Sequence, residues 1–330
     1  MGGDFSPKNE VEGALEAIRM SNGRFRVILA GMREEIEKEL SRLGASSNPL
    51  IEIAQASQVI GMEDEPVAGL RQKKDSSIVK GFDLVRDGAA SAFVSAGNTG
   101  AVMSGATLLL GRIPGVSRPT IGSQFPRPDG GFTLVFDVGS TVDSKAIHLR
   151  EYAIMGSIYA EQILGVTRPS VGLLSVGEER SKGNELVFEA APLLEQSGVN
   201  FIGNVEGGDV FKATCDVIVC DGFVGNVMLK LAESMIPVMR GRLKKYAAKG
   251  ILNKLKAGIT ASVLREVLKD FDYQEFGGVP LLGVRGVTII GHGRSTPKAI
   301  RNMILKAEEM VRKHVVGKIT ETLKAGAVHS

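Results

Sequence analysis

The sequence predicts a three-layer α/β/α protein with a largely parallel sheet. Short continuous apolar runs recur along the chain, as strands covered on both faces require. Helical stretches separate most of them, the alternation expected of layered α/β folds. Glycine is abundant, 41 of 330 residues, and it collects where those runs end.

The elements follow in order. Ser6-Pro7 marks a helix start, with Ser6 as cap and Pro7 at the first helical position, and Val11, Leu15 and Ile18 keep helical spacing. Arg26 to Gly31 is a strand closed by glycine, Met32 to Leu43 a charged surface helix and Ile51 to Ala54 a short strand. Ser76 to Asp87 is a helix and Ala92 to Ser95 a strand. Further buried strands are expected at Phe132–Asp137, Val171–Val176, Phe201–Gly203, Asp216–Cys220 and Val287–Gly291. No linker or repeat divides the chain, so residues 1–330 form one α/β unit.

Composition excludes several classes. Apolar residues make up 43%, enough for a large core, so wholesale disorder is excluded. Forty basic against 37 acidic residues give +3, too balanced for bulk nucleic-acid binding. Cys215 and Cys220 lie in one apolar run and point to opposite faces of a strand. They suit neither a local disulfide nor a zinc site, and they imply a reducing, cytoplasmic setting. No apolar run is long enough to span a membrane, and the N-terminal residues show no signal-peptide pattern.

One segment stands apart. Arg240, Arg242, Lys244, Lys245, Lys249, Lys254, Lys256 and Arg265 fall in a stretch without an acid. Ile251, Leu255, Ile259, Val263 and Val267 recur every four residues, so a basic amphipathic helical segment is expected at about 235–272. Its stripe packs on the core or a second subunit, or its charge meets anionic lipid or an acidic protein.

In parallel α/β sheets, ligands sit beyond the carboxyl ends of strands. The loops there are rich in Gly with Asn, Ser or Thr: Gly97-Asn98-Thr99-Gly100, Asp137-Val-Gly139-Ser-Thr141, Lys182-Gly183-Asn184, Gly203-Asn204, Gly225-Asn226 and Gly291-His292-Gly293. Each alone is only a turn with a helix cap. Gathered on one edge of one sheet, their backbone N–H groups and helix starts form a phosphate-sized anion site. Lys182 and Arg180 are placed to neutralise phosphate, or are solvated loop cations. His292 faces a site or bonds to backbone. There is no P-loop, no dinucleotide fingerprint and no nucleophile elbow, and His148, His292, His314 and His329 form no metal-spaced pair.

These motifs resemble a known family. Met1-Gly-Gly-Asp4, Ser95-Ala-Gly-Asn-Thr-Gly-Ala101, Asp137-Val-Gly139, Lys182-Gly-Asn-Glu-Leu186, Phe201-Ile-Gly-Asn-Val-Glu206, Asp221-Gly-Phe-Val-Gly-Asn226 and Gly277-Gly-Val-Pro-Leu-Leu-Gly283 are similar, in order, to the phosphate acyltransferase family. That family is also called acyl-acyl carrier protein:phosphate acyltransferase, and the resemblance covers nearly the whole chain. It implies transfer of a long-chain acyl group from acyl carrier protein to inorganic phosphate, giving an acyl phosphate for phospholipid synthesis. It also implies an isocitrate/isopropylmalate dehydrogenase-like fold, a homodimer and no metal or nucleotide cofactor. A cytoplasmic enzyme at the inner membrane surface is implied too, near a downstream glycerol-3-phosphate acyltransferase.

Within that frame Lys182 balances charge, Asn226 donates a hydrogen bond and His292 handles a proton. Gly97, Asn98, Thr99, Gly100, Asp137, Gly183, Asn184 and Gly225 line the phosphate and substrate site. Two departures stand out. The family carries an apolar strand ahead of Met-Gly-Gly-Asp, so a first strand is expected to be missing here. Asp137-Val-Gly-Ser-Thr141 stands where the family has Asp-Val-Gly-Ala-Asn. Three alternatives remain. One is a short-chain acyl-coenzyme A phosphotransacylase. Another is an isopropylmalate-type, NAD-dependent dehydrogenase with metal held by Asp137, Asp143 and Asp221. The third is a membrane-surface scaffold.

Overall fold

The computed structural model describes residues 1–268, 271 and 273–327. His329 and the end of the expected basic segment, at Lys269, Asp270 and Asp272, lie outside the described residues. Ten strands are described: β1 (Val27–Gly31), β2 (Ile51–Gln55), β3 (Ala92–Ser95), β4 (Thr120–Pro126), β5 (Phe132–Phe136), β6 (Ser170–Leu174), β7 (Asn200–Val205), β8 (Val217–Val219), β9 (Val279–Leu282) and β10 (Val287–Ile290). β1 and β2 pair in parallel as a separate ribbon. The other eight form one sheet in the order β3-β10-β9-β4-β5-β8-β6-β7.

Each expected apolar run became a strand, with no end shifted by more than two residues. Two strands were not expected. β4 carries Gly122, Ser123 and Gln124, which break its apolar run, and β9 carries Pro280, a residue that argues against a strand interior. Both are antiparallel to their neighbours: β9 to β10, β4 to β9, and β4 to β5. The parallel pairs are β3 with β10, β5 with β8, β8 with β6, and β6 with β7. Three reversals separate β10 from β5. The two parallel blocks therefore point in opposite directions.

Strand side chains alternate between two cores. Leu134, Phe136, Val217 and Val219 join the core under the helices Ala146–Tyr159 and Pro297–Arg312. Val135 and Ile218 join the opposite core with Phe82 and Val102. Gly122 is where β4 and β5 meet most tightly: a β-carbon there would lie 1.9 Å from the Phe136 ring.

The first helix runs Lys8–Met20, with Pro7 rather than Ser6 at its cap. The Ser6 hydroxyl instead accepts the Gly3 N–H at 3.1 Å and donates to Glu10. Ser76 caps Ser77–Arg86 through the Val79 N–H, as expected. The basic segment is two helices, the end of Gly222–Ala247 and then Ile251–Val267, divided at Gly250 with φ of 154°. The two helices pack on each other, yet the stripe does not reach the core. Ile251 is 91% exposed and Leu255 and Ile259 are 64% exposed, while Ala257 is the buried residue.

Candidate active site

The opposed strand directions split the expected site residues into two groups, correcting the expectation of one shared edge. Gly97, Asn98, Thr99, Gly100 and His292 follow β3 and β10. Asp137, Lys182, Gly183, Asn184, Gly225 and Asn226 follow β5, β6 and β8, at the other end of the sheet.

In the first group Asn98 is buried and fully engaged. Its Oδ1 accepts the Ala101 N–H at 3.0 Å, capping the following helix. Its Nδ2 donates to the carbonyls of Gly61 and Asp64 at 3.0 Å and of Met62 at 3.3 Å. This asparagine ties two loops together. Gly97 is buried behind it, Gly100 packs close to Pro66, and Thr99 is exposed. His292 is exposed and its Nδ1 accepts the Arg294 N–H at 3.1 Å, the ordinary loop arrangement. Asp4 closes the group by bonding to the Gly293 carbonyl through its own N–H at 2.8 Å.

The second group centres on Asp137. Its buried carboxylate accepts the Thr141 N–H at 2.7 Å, the Ser140 N–H at 3.0 Å, the Gly139 N–H at 3.2 Å and the Ser140 hydroxyl at 2.6 Å. Burial pushes its carboxyl up, against the pull of Ser140 and the loop amides. Asp137 therefore organises the loop from inside. The start of Gly222–Ala247 packs directly on it. A β-carbon on Gly225 would lie 1.9 Å from the Asp137 carbonyl oxygen, and one on Gly222 would lie 2.6 Å from its carboxylate. Asp221 caps that helix by accepting the Val224 N–H at 2.9 Å.

Three expected residues face outward from this edge. Asn226 is exposed beside Gly139, whose β-carbon position is 3.4 Å from Asn226 Oδ1. Asn184 is exposed and caps Glu185–Glu195 through the Val187 N–H at 3.0 Å. Lys182 is exposed, and its ammonium makes no ion pair among the described residues. Arg180, by contrast, is held by Glu195. Gly183 adopts φ of 131°, which turns the loop back over Ser175.

Two contributors were not among the expected site residues. Asn204 Nδ2 donates to the carbonyls of Glu179 at 3.0 Å and Lys182 at 3.2 Å, fixing the Lys182 loop. The Ser175 hydroxyl is buried without a hydrogen-bond partner and lies 3.3 Å from the β-carbon position of Gly183. Asn204 lies inside a quoted motif, near the end of β7, and Ser175 directly follows β6; the motif marked the place and not the bond each makes. Neither cysteine offers a nucleophile: burial pushes the Cys215 thiol up to about 12 and the Cys220 thiol further up.

The arrangement defines a layered α/β protein with an outward-facing, Lys- and Asn-bearing edge on four parallel strands. Residues 1–318 match the family model described as fatty acid synthesis protein, and the chain belongs to that family. A phosphate acyltransferase of Halothermothrix orenii is 46% identical over 325 residues, 98% of this chain and 96% of the relative. One of Desulforudis audaxviator is 47% identical over 97% of this chain and 93% of the relative. Among solved structures, a phosphotransacetylase from Streptococcus pyogenes is similar with TM-score 0.62 and 17% identity, over 93% of each chain. A branched-chain phosphotransacylase from Enterococcus faecalis has TM-score 0.58 and 12% identity, covering 94% of this chain and 96% of that one. These two likenesses concern the fold: mixed α/β with a mostly parallel sheet.

Proposed function

We propose that the protein transfers a long-chain acyl group from the thioester of acyl carrier protein to inorganic phosphate. A phosphate oxygen attacks the thioester carbonyl carbon, the carbon–sulfur bond breaks, and the thiol leaves with a proton. The products are an acyl phosphate and free carrier protein. The observation that carries this reading is the exposed Lys182, whose ammonium makes no ion pair among the described residues, in the loop after β6 beside the Asn226-bearing helix start after β8, in a chain whose relatives are phosphate acyltransferases. Phosphate is a poor nucleophile until it is held and its charge balanced, and Lys182 serves that role. Asn226 and Asn184 supply neutral donors to phosphate or to the developing oxyanion. Phosphate itself attacks, so no protein nucleophile is needed. This reading gives His292 and Asn98 no part in the chemistry, since they follow β10 and β3 and not β5, β6 and β8.

The same reading covers the surroundings. The exposed stripe of Ile251–Val267, with its basic residues, supports docking on anionic lipid or on an acidic carrier protein. A second exposed apolar row along Gly222–Ala247, at Val227, Leu231 and Met235, supports a homodimer. No helix of the described residues is long and apolar enough to cross a membrane, in keeping with a peripheral, cytoplasmic enzyme supplying a glycerol-3-phosphate acyltransferase. Kinship with isocitrate/isopropylmalate dehydrogenase-like folds belongs to the same proposal. The dehydrogenase chemistry has less support, since Asp137 commits its carboxylate to loop amides and the relatives are phosphate acyltransferases.

Thiol release from palmitoyl-acyl carrier protein, followed with and without phosphate, tests the reading. Release should require phosphate, and Lys182→Ala should lower turnover by roughly 10²–10³-fold with an unchanged melting temperature. Normal turnover of Lys182→Ala would sink the site assignment. Preference for short acyl-coenzyme A thioesters would favour the short-chain phosphotransacylase instead.

A further inference from the structure

A cavity of about 90 Å³ opens where the two parallel blocks meet. β4 pairs with β9 only at Thr120 and Ile121, so the rest of β4, from Gly122 to Pro126, parts from β9. The cavity occupies that parting. Tyr159 and Lys306 reach it from the helices Ala146–Tyr159 and Pro297–Arg312, on one face of the sheet. Leu229 and Ala232 reach it from Gly222–Ala247, on the other face. It therefore passes through the sheet. Glu233 and Phe271, both exposed, also line it and mark its mouth.

Its walls are chiefly apolar, with Phe125, Leu134, Leu229, Phe276 and Pro280. Two polar groups interrupt them. The Tyr159 side chain is fully buried, and its hydroxyl has no hydrogen-bond partner among the described residues. The Lys306 ammonium donates to the Gly278 carbonyl at 3.3 Å, one long bond for a group with three donors. Glu309 is near enough to favour the charged amine, yet its carboxylate is taken by Lys313 at 2.7 Å. Burying a hydroxyl or an ammonium with donors unused is costly. Both costs fall in one cavity, and one acceptor with negative charge relieves both.

We propose that this cavity binds an alkyl carboxylate, its carboxylate between Lys306 and Tyr159 and its alkyl chain leading out past Phe276 and Leu229. Charge and size select that ligand. The ammonium calls for an anion, and the hydroxyl calls for an acceptor beside it. The apolar walls disfavour a hydrated inorganic ion, which would give up its water with little in return. An apolar cavity of about 150 Å³ takes benzene, with six heavy atoms, so one of about 90 Å³ takes roughly four. That is a carboxylate and its α-carbon, and the rest of a longer chain runs on to the mouth. The site is separate from the Lys182 edge. Gln124 and Pro126, which line it, pair with Leu134 and Phe132 toward the start of β5, whereas Asp137 follows the end of that strand.

Calorimetric titration of the full chain with hexanoate tests this, with hexanamide and chloride as controls and melting temperature read alongside. Hexanoate should bind and, at saturation, raise the melting temperature by about 2 °C or more. Affinity should rise from acetate to hexanoate as the chain covers more of the apolar wall. Lys306→Met should weaken hexanoate binding by about tenfold or more without lowering the melting temperature of the protein alone, which separates a lost site from a lost fold. Tyr159→Phe should weaken binding several-fold, and Lys182→Ala should leave it unchanged. Equal binding of hexanamide, or undiminished hexanoate binding by Lys306→Met, would overturn the proposal. So would chloride binding as tightly as hexanoate, which would mark an anion hole without carboxylate recognition. Loss of hexanoate binding in Lys182→Ala alone would place the ligand at the other edge and overturn it too.

Discussion

Asn98 shows how a motif can be legible while its use is not. Gly-Asn-Thr-Gly after a strand suits a ligand loop, and the structure spends every polar atom of that asparagine on backbone. Asn98→Ala removes a helix cap and leaves three carbonyls without their donor, so it should destabilise by about 2 kcal/mol or more. Urea unfolding measures this, and the loss should appear equally in phosphate-saturated and phosphate-free buffer. Lys306 carries a second lesson. Its Nζ donates to the Gly278 carbonyl at 3.3 Å, and burial lowers its pKa to about 8, with Glu309 partly opposing. Below pH 8 the folded state must hold a poorly solvated ammonium; between about 8 and its ordinary 10.5 the unfolded chain binds the extra proton, so stability rises with pH. Lys306→Met should therefore melt higher than the unsubstituted protein at pH 7, and that gain should shrink across this window. Thermal melts of the pair at several pH values read it directly.

Elements with continuous apolar runs were legible, because burial on both faces leaves that mark in sequence. β4 and β9 were not. Their polar, glycine and proline positions are tolerated because neighbouring strands and the close Gly122–Phe136 contact impose the extended backbone. Strand direction was also illegible, since an apolar run reads the same way up or down. That is why the loops seemed to share an edge. The helix Ile251–Val267 was legible as a stripe, but its exposure depended on where the preceding helix aimed it. Replacing Leu255 and Ile259 together by Glu should leave the melting temperature unchanged and abolish co-sedimentation with anionic vesicles. Undiminished co-sedimentation would move lipid docking elsewhere on the molecule.

At the scale of the whole molecule, two parallel blocks are joined through a narrow seam. β4 and β9 pair only through Thr120 with Leu282 and Ile121 with Leu281, whereas β4 and β5 share five pairs. The Lys182 edge belongs to the block on one side of that seam, and the Asn98 loops belong to the other. Substitutions in the two groups should accordingly separate in kind, with kinetic losses at Lys182 and stability losses at Asn98.

The contact between the helices Lys8–Met20 and Pro297–Arg312 has a consequence in time. Arg301 reaches Glu16 across a separation of 285 residues, and Gly13 lets Ile300 approach so closely that a β-carbon would lie 2.6 Å from it. The helix Lys8–Met20 is thus made long before the helix it packs on. Val11 meets Ile36 and Leu40 early, but the side around Gly13 that receives Ile300 stays uncovered until Pro297–Arg312 has been made, an interval in which a nascent chain depends on chaperones.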